Sequence, residues 1–167
     1  MTTPFRIVFV CMGNICRSPT ADIVMRSLVE QEGLSDRVEV ASAGTGDWHV
    51  GQPIDARAGD VLSRAGYDAA HHRARQFAPD WFDRFDLVVA MDRKNRWFLE
   101  QVAPSAPARD KIRMLRSYDA GAARRGDLDV PDPYYDDGFD DVLRMVEVAC
   151  RGLLDDLRSH LAADVAE

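Results

Sequence analysis

The residues whose types and spacing most clearly suggest a reaction lie near the N-terminus, where an apolar run leads into a cysteine and then an arginine. Residues 5–10 are apolar apart from one arginine, which is typical of a buried parallel strand. Cys11 follows this run directly, and five residues separate it from Arg17. Gly13 and Asn14, between them, are residue types that readily adopt positive φ. The spacing therefore predicts a tight loop that brings the cysteine and the arginine together.

The residues after this loop favour a helix that begins beside it. Ser18 is a good N-cap and Pro19 suits the first helical position. Backbone N–H groups of the loop and of the helix start would then converge on one point and bind an anion. The same dipoles favour the thiolate of Cys11, a nucleophile for a bound phosphate, while the planar Arg17 guanidinium could hold two phosphate oxygens. Covalent phosphoryl transfer is the predicted chemistry; the alternative is a buried cysteine beside a surface arginine.

At these residues the sequence resembles the low-molecular-weight protein-tyrosine phosphatases. Residues 11–19 match the signature loop of that family apart from a variable position at Met12, and later segments match in the family's order. The resemblance implies that Cys11 is the nucleophile, that Arg17 binds phosphate and that Ser18 assists the thiolate leaving group in the second step. The predicted phosphate-binding residues are Met12, Gly13, Asn14, Ile15, Cys16, Arg17 and Ser18.

A second candidate catalytic residue is Asp132, which lies between Pro131 and Pro133. The two prolines restrict the backbone and would hold one carboxyl group in place within a long stretch, residues 117–137, that is predicted to be irregular. A cysteine phosphatase needs such an acid because expelling an unprotonated alkoxide or phenoxide is costly. The family carries Asp-Pro-Tyr at its general acid. The alternative is a solvated acidic turn before the last helix.

Aromatic residues on two loops could form the walls of a site for an aromatic leaving group. Tyr134 and Tyr135 directly follow the acidic candidate, and Trp48 with His49 lies in a glycine-rich stretch, residues 42–53, predicted to be a loop. A lone loop tryptophan is more often a packing anchor, and only the resemblance favours a substrate wall at Trp48. The resemblance also leaves open that the two tyrosines are phosphorylated.

Polar residues far apart in the sequence could tie the phosphate-binding loop together by hydrogen bonds. The candidates are Asn14, Ser18, Ser42 and His72. The resemblance implies this network and adds an aspartate at the position of Asp92 nearby. Because His71 is adjacent, the sequence does not decide which of the two histidines matches the family position.

The cysteines other than the predicted nucleophile allow different interpretations. Cys16 could form a reversible disulfide with Cys11 that protects the nucleophile from over-oxidation, or it could be a small buried residue at the start of the helix. Cys150 lies on the apolar face of a helical pattern that begins at residue 139, and it is predicted to be a core residue.

Strand and helix patterns alternate along the chain without an internal repeat. Strands are predicted at 5–10, 38–41, 87–91 and 111–115, and helices after Pro19, after Asp55, at 79–82, at 93–102 and from 139 onward. This alternation predicts one α/β domain over residues 1–167: a four-stranded open parallel sheet with helices on both faces and the phosphate-binding loop after the first strand. Active sites of such sheets lie beyond the carboxyl ends of the strands, where Cys11, Ser42 and Asp92 are expected.

Composition limits the partners and the compartment. The 21 basic and 28 acidic residues give a net charge of −7, which argues against nucleic acid or an anionic membrane as the main partner. The 3 cysteines favour a reducing compartment over a disulfide framework, and no apolar run has the length of a signal peptide or a membrane span. The sequence therefore predicts a cytoplasmic monomer, although signal-independent export, as in some actinobacterial relatives, would leave no trace. The 4 histidines lack ligand spacing, so no metal or cofactor is predicted.

The resulting hypothesis is a protein-tyrosine phosphatase of the actinobacterial type that acts on tyrosine-phosphorylated proteins and binds inorganic phosphate or vanadate competitively. Three alternatives share parts of the pattern. A thiol-dependent arsenate reductase needs further cysteines to relay a disulfide, and a phosphoarginine phosphatase carries threonine where Ile15 stands. A binding module without catalysis would lack Cys11, Arg17 or Asp132, and none of them is missing.

Overall fold

Four parallel strands form the centre of the fold in a computed structural model that describes residues 3–165. The strands are β1 (Phe5–Cys11), β2 (Val38–Gly44), β3 (Leu87–Ala90) and β4 (Ile112–Met114), in the spatial order β2-β1-β3-β4. The predicted fold class is confirmed. The two ends of the predicted domain, residues 1–2 and 166–167, lie outside the described residues.

The helices connect these strands in the predicted order. They are α1 (Arg17–Gln31), α2 (Ala56–Arg64), α3 (Arg93–Val102), α4 (Ala106–Arg109), α5 (Ala120–Arg125) and α6 (Phe139–Val165), with 3₁₀ helices at Pro79–Asp83 and Leu115–Tyr118. The prediction that residues 117–137 are wholly irregular is wrong, because α5 lies within them. Asp119 caps this short helix and Gly126 ends it with φ of 70°, two local signals that the absence of a long apolar pattern obscured.

Both faces of the sheet are covered, which explains why β1 reads as an unbroken apolar run. Alternate residues of β1 point to opposite sides: Phe9 belongs to a core cluster with α1, α2 and α6, and Val10 to a second cluster with α3 and α4. Both side chains are fully buried. The helices therefore lie on both faces, as predicted.

The strand order decides where a site can form. The chain passes from β1 outward to β2 and then returns to the other side of β1 to add β3 and β4, so the connections diverge above the carboxyl ends of β1 and β3. Cys11 is the last residue of β1, and Asp92 follows β3 and caps α3. These two residues therefore lie on either side of the crevice.

Two local predictions near the crevice are wrong in detail. Strand β2 continues to Gly44, so Ser42 is a strand residue aligned with Phe9 rather than the start of a loop. Helix α1 begins at Arg17, and Ser18 is not its N-cap. The Ser18 hydroxyl instead lies 2.9 Å from the sulfur of Cys11, so it contacts the thiol and does not cap the helix.

Candidate active site

The sulfur of Cys11 lies at the base of a cleft of about 490 Å³ that opens at the carboxyl ends of the central strands. Its Sγ atom accepts a hydrogen bond from the backbone N–H of Asn14 at 3.3 Å and lies 2.9 Å from Ser18 Oγ. Only 2% of the cysteine is exposed. The loop therefore places a backbone N–H and a hydroxyl group against a buried sulfur that faces the cleft.

Asn14 holds the loop in shape through all of its polar groups. It adopts φ of 57°, a left-handed conformation that asparagine tolerates better than most residues. Its side-chain amide donates to Ser18 Oγ at 2.8 Å and to Ser42 Oγ at 3.0 Å, and its Oδ1 accepts from the backbone N–H of Arg75 at 2.9 Å. The Nε2 atom of His72 lies 2.7 Å from the Asn14 carbonyl oxygen and donates to it. The predicted network is therefore assembled around one fully buried side chain.

His72, rather than His71, is the histidine of this network. Burial lowers the pKa of His72 and outweighs the hydrogen bond to Asn14, which acts to raise it. His71 is almost fully exposed and makes a long contact with Asp68. The ambiguity of register is thus resolved in favour of His72.

The end of β2 packs against the phosphate-binding loop so closely that only glycine fits there. A Cβ atom at Gly44 would lie 2.9 Å from the carbonyl oxygen of Met12 and 3.2 Å from the backbone nitrogen of Asn14. These neighbours are backbone atoms of a loop that is itself fixed by hydrogen bonds, so they cannot withdraw. Gly44 therefore sets how deeply the loop lies against the sheet.

Arg17 points into the same cleft from the first turn of α1. Its Nη1 atom pairs with Asp92 Oδ2 at 2.6 Å and donates to the carbonyl oxygen of Val130 at 3.0 Å, and Nη2 lies 3.5 Å from Asp132 Oδ2. Burial acts to lower the pKa of Arg17, but the charge of Cys11 and the hydrogen bond to Asp92 raise it further than burial lowers it. Arg17 is therefore a buried, permanently charged fork that faces the cysteine.

Asp132 reaches the cleft because the segment before it is anchored to the sheet. The backbone N–H of Val130 donates to the carbonyl oxygen of Met91, directly after β3, at 2.8 Å. The Asp132 side chain is partly exposed, and its Oδ1 atom accepts from the backbone N–H of Tyr134 at 3.1 Å. The carboxyl group is thus oriented by its own turn and held near Arg17.

Aromatic side chains surround the mouth of the cleft, as predicted. Trp48 and His49 approach from one side and Tyr134 and Tyr135 from the other, and all four line the cleft. The two tyrosine rings meet edge to face at 5.1 Å, and the His49 and Tyr134 ring centroids are 6.4 Å apart. The rest of the wall includes Met12 and Ile15.

Cys16 also lines the cleft, but its thiol differs from that of Cys11. Burial and, next, the charge of Asp55 raise the pKa of the Cys16 thiol far above its ordinary range. The Cys16 thiol therefore stays protonated. The sulfur of Cys11, in contrast, has a backbone N–H and a hydroxyl group beside it. All three cysteines are free, and Cys150 is a core residue as predicted.

Three contacts that complete the site could not be predicted from the sequence. The Val130 carbonyl on Arg17 and the Arg75 backbone N–H on Asn14 are main-chain groups, which carry no residue signature. Arg57, in the first turn of α2, contacts the segment after Asp132 through its side chain. Finding these contacts requires the tertiary structure.

The described part of the chain contains neither a candidate metal site nor a helix that could span a membrane. No group of three or more histidine, cysteine, aspartate or glutamate side chains among residues 3–165 is arranged to hold a metal ion. None of the helices in the same range combines the length and the apolar character needed to cross a membrane.

Comparison with known proteins finds the same family along the whole chain. A sequence model of the low molecular weight phosphotyrosine protein phosphatase family matches residues 6–164. A low molecular weight protein-tyrosine-phosphatase of Streptomyces coelicolor is 50% identical over 164 residues, which cover 97% of this chain and 99% of that protein. Low molecular weight protein-tyrosine phosphatase A of Mycobacterium tuberculosis is 43% identical over 164 residues, 97% of each.

Solved structures give the same result. YfkJ of Bacillus subtilis superposes with a TM-score of 0.89 at 33% identity, covering 95% of this chain and 98% of that one. The similarity extends far beyond the loop around Cys11 and includes actinobacterial relatives, as predicted. The chain belongs to the low-molecular-weight protein-tyrosine phosphatase family.

Proposed function

We propose that this chain hydrolyses phosphotyrosine in proteins through a phosphocysteine at Cys11, with Asp132 as general acid and then general base. The observation that carries the proposal is the convergence on one cleft of Cys11 and Arg17, from one loop, and of Asp132, from a distant segment of the chain. Each has the neighbours its role requires: donors on the sulfur, a carboxylate on the guanidinium and a backbone donor on the carboxyl group.

In the first step the Cys11 thiolate attacks the phosphorus atom of the ester. A sulfur–phosphorus bond forms, the bond from phosphorus to the tyrosyl oxygen breaks, and Asp132 gives its proton to that oxygen. Arg17 and the backbone N–H groups of the loop hold the phosphoryl oxygens as charge redistributes on them. The dephosphorylated tyrosine leaves with its hydroxyl group restored.

In the second step the Asp132 carboxylate takes a proton from water, and the water oxygen attacks phosphorus. The sulfur–phosphorus bond breaks, which releases inorganic phosphate and regenerates the Cys11 thiolate. The hydroxyl of Ser18 lies 2.9 Å from the sulfur and 3.3 Å from the carbonyl oxygen of Ala43. Its single proton can be donated to the sulfur as negative charge returns to it, which favours the departure of the thiolate.

The walls of the cleft favour an aromatic ester over an alkyl ester. Met12 and Ile15 line it beside the phosphate-binding loop, and the rings of Trp48 and Tyr134 flank its mouth. A tyrosyl ring can pack between these surfaces, while a serine or threonine side chain would leave them in water. Inorganic phosphate and vanadate are expected to compete with the substrate for the loop.

The observed site gives the three alternatives less support. A disulfide relay for arsenate reduction would have to leave the cleft through a further cysteine, and Cys150 is fully buried in the core. The apolar Ile15 favours a phosphotyrosyl ring over a phosphoguanidine. A binding module has no need for a carboxyl group beside the arginine, and Asp132 is there.

Cys16 gives the proposed site a means of reversible oxidation. Both Cys11 and Cys16 line the cleft, so oxidation of the nucleophile to a sulfenic acid can be followed by attack of the Cys16 sulfur as it loses its proton, with release of water. The raised pKa of Cys16 makes this step slow. Hydrogen peroxide should then inactivate the enzyme reversibly, and recovery with a thiol reductant should be poorer in Cys16→Ser. Equal recovery of both proteins would favour the structural interpretation of Cys16.

The proposed setting is the cytoplasm, where the enzyme acts as a monomer without metal or cofactor. Reducing conditions there keep the three cysteines in the free state that the structure shows. Tyrosine-phosphorylated proteins are the expected substrates.

The experiment that tests the proposal is hydrolysis of an aryl phosphate by the wild type and by Cys11→Ser, with a chelator present. The wild type should be active, and the variant should lose at least about 10⁴-fold in kcat while it still binds phosphate or vanadate. Substantial activity in the variant would overturn the assignment of the nucleophile. A folded but inactive wild type would favour arsenate reduction or phosphate-dependent binding.

A further inference from the structure

The first turn of α2 connects the phosphate-binding loop to the segment that carries Asp132. The backbone N–H of Asp55 donates to the carbonyl oxygen of Ile15 at 2.9 Å. The Asp55 side chain caps the helix by accepting from the backbone N–H of Arg57 at 2.9 Å. This turn is therefore fixed to the loop that surrounds the nucleophile.

The guanidinium of Arg57 joins this turn to the residues after Asp132. One edge pairs with the Asp55 carboxylate, with Nε at 3.2 Å from Oδ1 and Nη2 at 3.1 Å from Oδ2. On the other edge, Nη1 donates to Asp137 Oδ1 at 2.9 Å and Nη2 donates to the carbonyl oxygen of Tyr134 at 3.3 Å. The hydrogen bonds to Asp55 and Asp137 raise the pKa of Arg57, so its charge is permanent.

The flat face of the same guanidinium lies against two aromatic rings. Its central carbon is 5.4 Å from the centroid of the Tyr134 ring and 4.6 Å from that of Phe139, the first residue of α6. Only a planar cation can stack on rings and donate in two directions at its edges. Lysine could replace the charge but not this geometry.

The contacts of the acid segment are unequal on the two sides of Asp132. Before it, the backbone is tied to the sheet and to Arg17 through Val130, and to Arg116 through the Asp129 carbonyl oxygen. After it, the hydrogen bonds described for residues 133–137 stay within the turn, except for those that Arg57 makes, and the Gly138 carbonyl oxygen accepts from the backbone N–H of Val142 in α6. Among the described residues, Arg57 therefore makes the hydrogen bonds that tie the turn between Asp132 and the start of α6 to another element.

This contact reaches the reacting group in one further step. The peptide of Tyr134 offers its carbonyl oxygen to Arg57, while the Tyr134 N–H donates to Asp132 Oδ1. Movement of this turn would rotate the carboxyl group away from the leaving-group oxygen, and general acid catalysis is sensitive to such shifts. It would also displace the Tyr134 ring from the mouth of the cleft.

We infer that Arg57 is a positioning residue for catalysis, which sets the orientation of the Asp132 carboxyl group and of the Tyr134 ring over the phosphate-binding loop. The inference rests on the proposed function, since it assigns Arg57 a role only if Asp132 is the general acid. In the described part of the chain, the hydrogen bonds and ion pairs of the Arg57 side chain go to Asp55, Tyr134 and Asp137 and not to residues 12–18. Its loss should therefore leave phosphate binding intact.

The test compares Arg57→Ala and Arg57→Lys with the wild type on aryl phosphates whose leaving groups differ in pKa. With poor leaving groups, which depend on protonation, kcat should fall by about 10-fold in Arg57→Ala, and Arg57→Lys should recover only part of it. With good leaving groups, kcat should change less than about threefold, and so should the inhibition constant of inorganic phosphate. Arg84→Ala is the matched control, because Arg84 forms an exposed pair with Asp80 far along the chain from the site.

Further variants separate positioning from stability. Asp137→Asn removes one partner of Arg57 at an exposed position and should give the same leaving-group pattern with a smaller amplitude. In an Asp132→Asn background, Arg57→Ala should cause little additional loss, because there is no acid left to orient. Equal losses for good and poor leaving groups, a parallel rise in the phosphate inhibition constant, or full additivity with Asp132→Asn would each overturn the inference. Inactivity of the wild type would instead contradict the proposed function.

Discussion

The two ends of the cleft are built in opposite ways. At the phosphate end, Asn14 is fully buried, Cys11 is 2% exposed and Arg17 is 3% exposed, and each is held by several hydrogen bonds. At the leaving-group end, Trp48 is 66% exposed and Tyr135 is 75% exposed. The Tyr134 ring there packs against Tyr135, His49 and the Arg57 guanidinium.

This difference matches what each end has to bind. The phosphoryl group is the same in every substrate, and its transition state is stabilised best by donors that are already in place. The protein around a phosphotyrosine varies, so a rigid rim would exclude many partners. Variants at the phosphate end should therefore reduce the rate of every reaction, while variants at the rim should change the choice among substrates.

The largest effect is expected from Arg17→Lys. Lysine keeps a charge but loses the fork that reaches Asp92 and the Val130 carbonyl oxygen, so kcat/KM for any aryl phosphate should fall by about 10²- to 10³-fold. Arg26→Lys is the matched control on the same helix, because its side chain pairs with Asp22 and is mostly exposed. An Arg17→Lys enzyme as active as the Arg26→Lys enzyme would contradict the preorganised phosphate end.

Asp132→Asn should have a large effect that depends on the substrate. Asparagine cannot give up a proton, so kcat should fall by about 10²-fold for poor leaving groups and far less for good ones. A plot of log kcat against leaving-group pKa is the measurement, and Asp136→Asn on the same segment is the control. A loss that is uniform across the series would remove Asp132 as the general acid.

Trp48→Ala should have a smaller effect that is confined to the rim. Losing one ring contact should lower kcat/KM for an aryl phosphate by about 3- to 10-fold, with the phosphate inhibition constant and Tm unchanged. Trp97→Ala is the matched control, since Trp97 is 64% exposed on α3 and does not line the cleft. A similar loss in both variants would show that Trp48 does not form a substrate wall.

Gly46 offers a second way to move the same ring. A Cβ atom there would lie 1.8 Å from Cζ3 of Trp48, and the three nearest atoms all belong to that indole ring. Gly46→Ala should therefore displace the ring and reproduce the loss seen in Trp48→Ala. Combined with Trp48→Ala, it should add nothing, and any additional loss would show that Gly46 acts on the site by another route.

The smallest effect is expected in the dependence of stability on pH. Burial lowers the pKa of His72 from its ordinary 6.5, so the unfolded state binds a proton more readily than the folded state. The contribution of His72 to the free energy of unfolding should therefore be fully present above pH 6.5 and decline as the pH falls toward the folded-state pKa. His72→Gln should flatten the fall of Tm between about pH 7 and pH 5, while His71→Gln should not. Identical profiles for the wild type and His72→Gln would contradict this.

The sequence alone was sufficient for the four strands, the longer helices and the candidate catalytic residues. The apolar run before Cys11 reads as a doubly covered strand, and the chain alternates strand and helix patterns that allow few arrangements. Cys11, Arg17 and Asp132 could be chosen because reactive residue types lie next to backbone-directing glycine, asparagine and proline. Those signals lie in neighbouring residues, so they can be recognised from the sequence without a structure.

Only the tertiary structure decided how the distant parts meet. The hydroxyl of Ser18 was expected to accept from the backbone at a helix end and is found on the Cys11 sulfur, because its partner depends on where the helix begins and where the sulfur lies in space. The hold of Arg57 on the Tyr134 turn depends on a packing arrangement that joins α2 to the start of α6. The contacts of Arg57 join residues about 80 positions apart, and neither periodicity nor motif spacing reports on pairs at that separation.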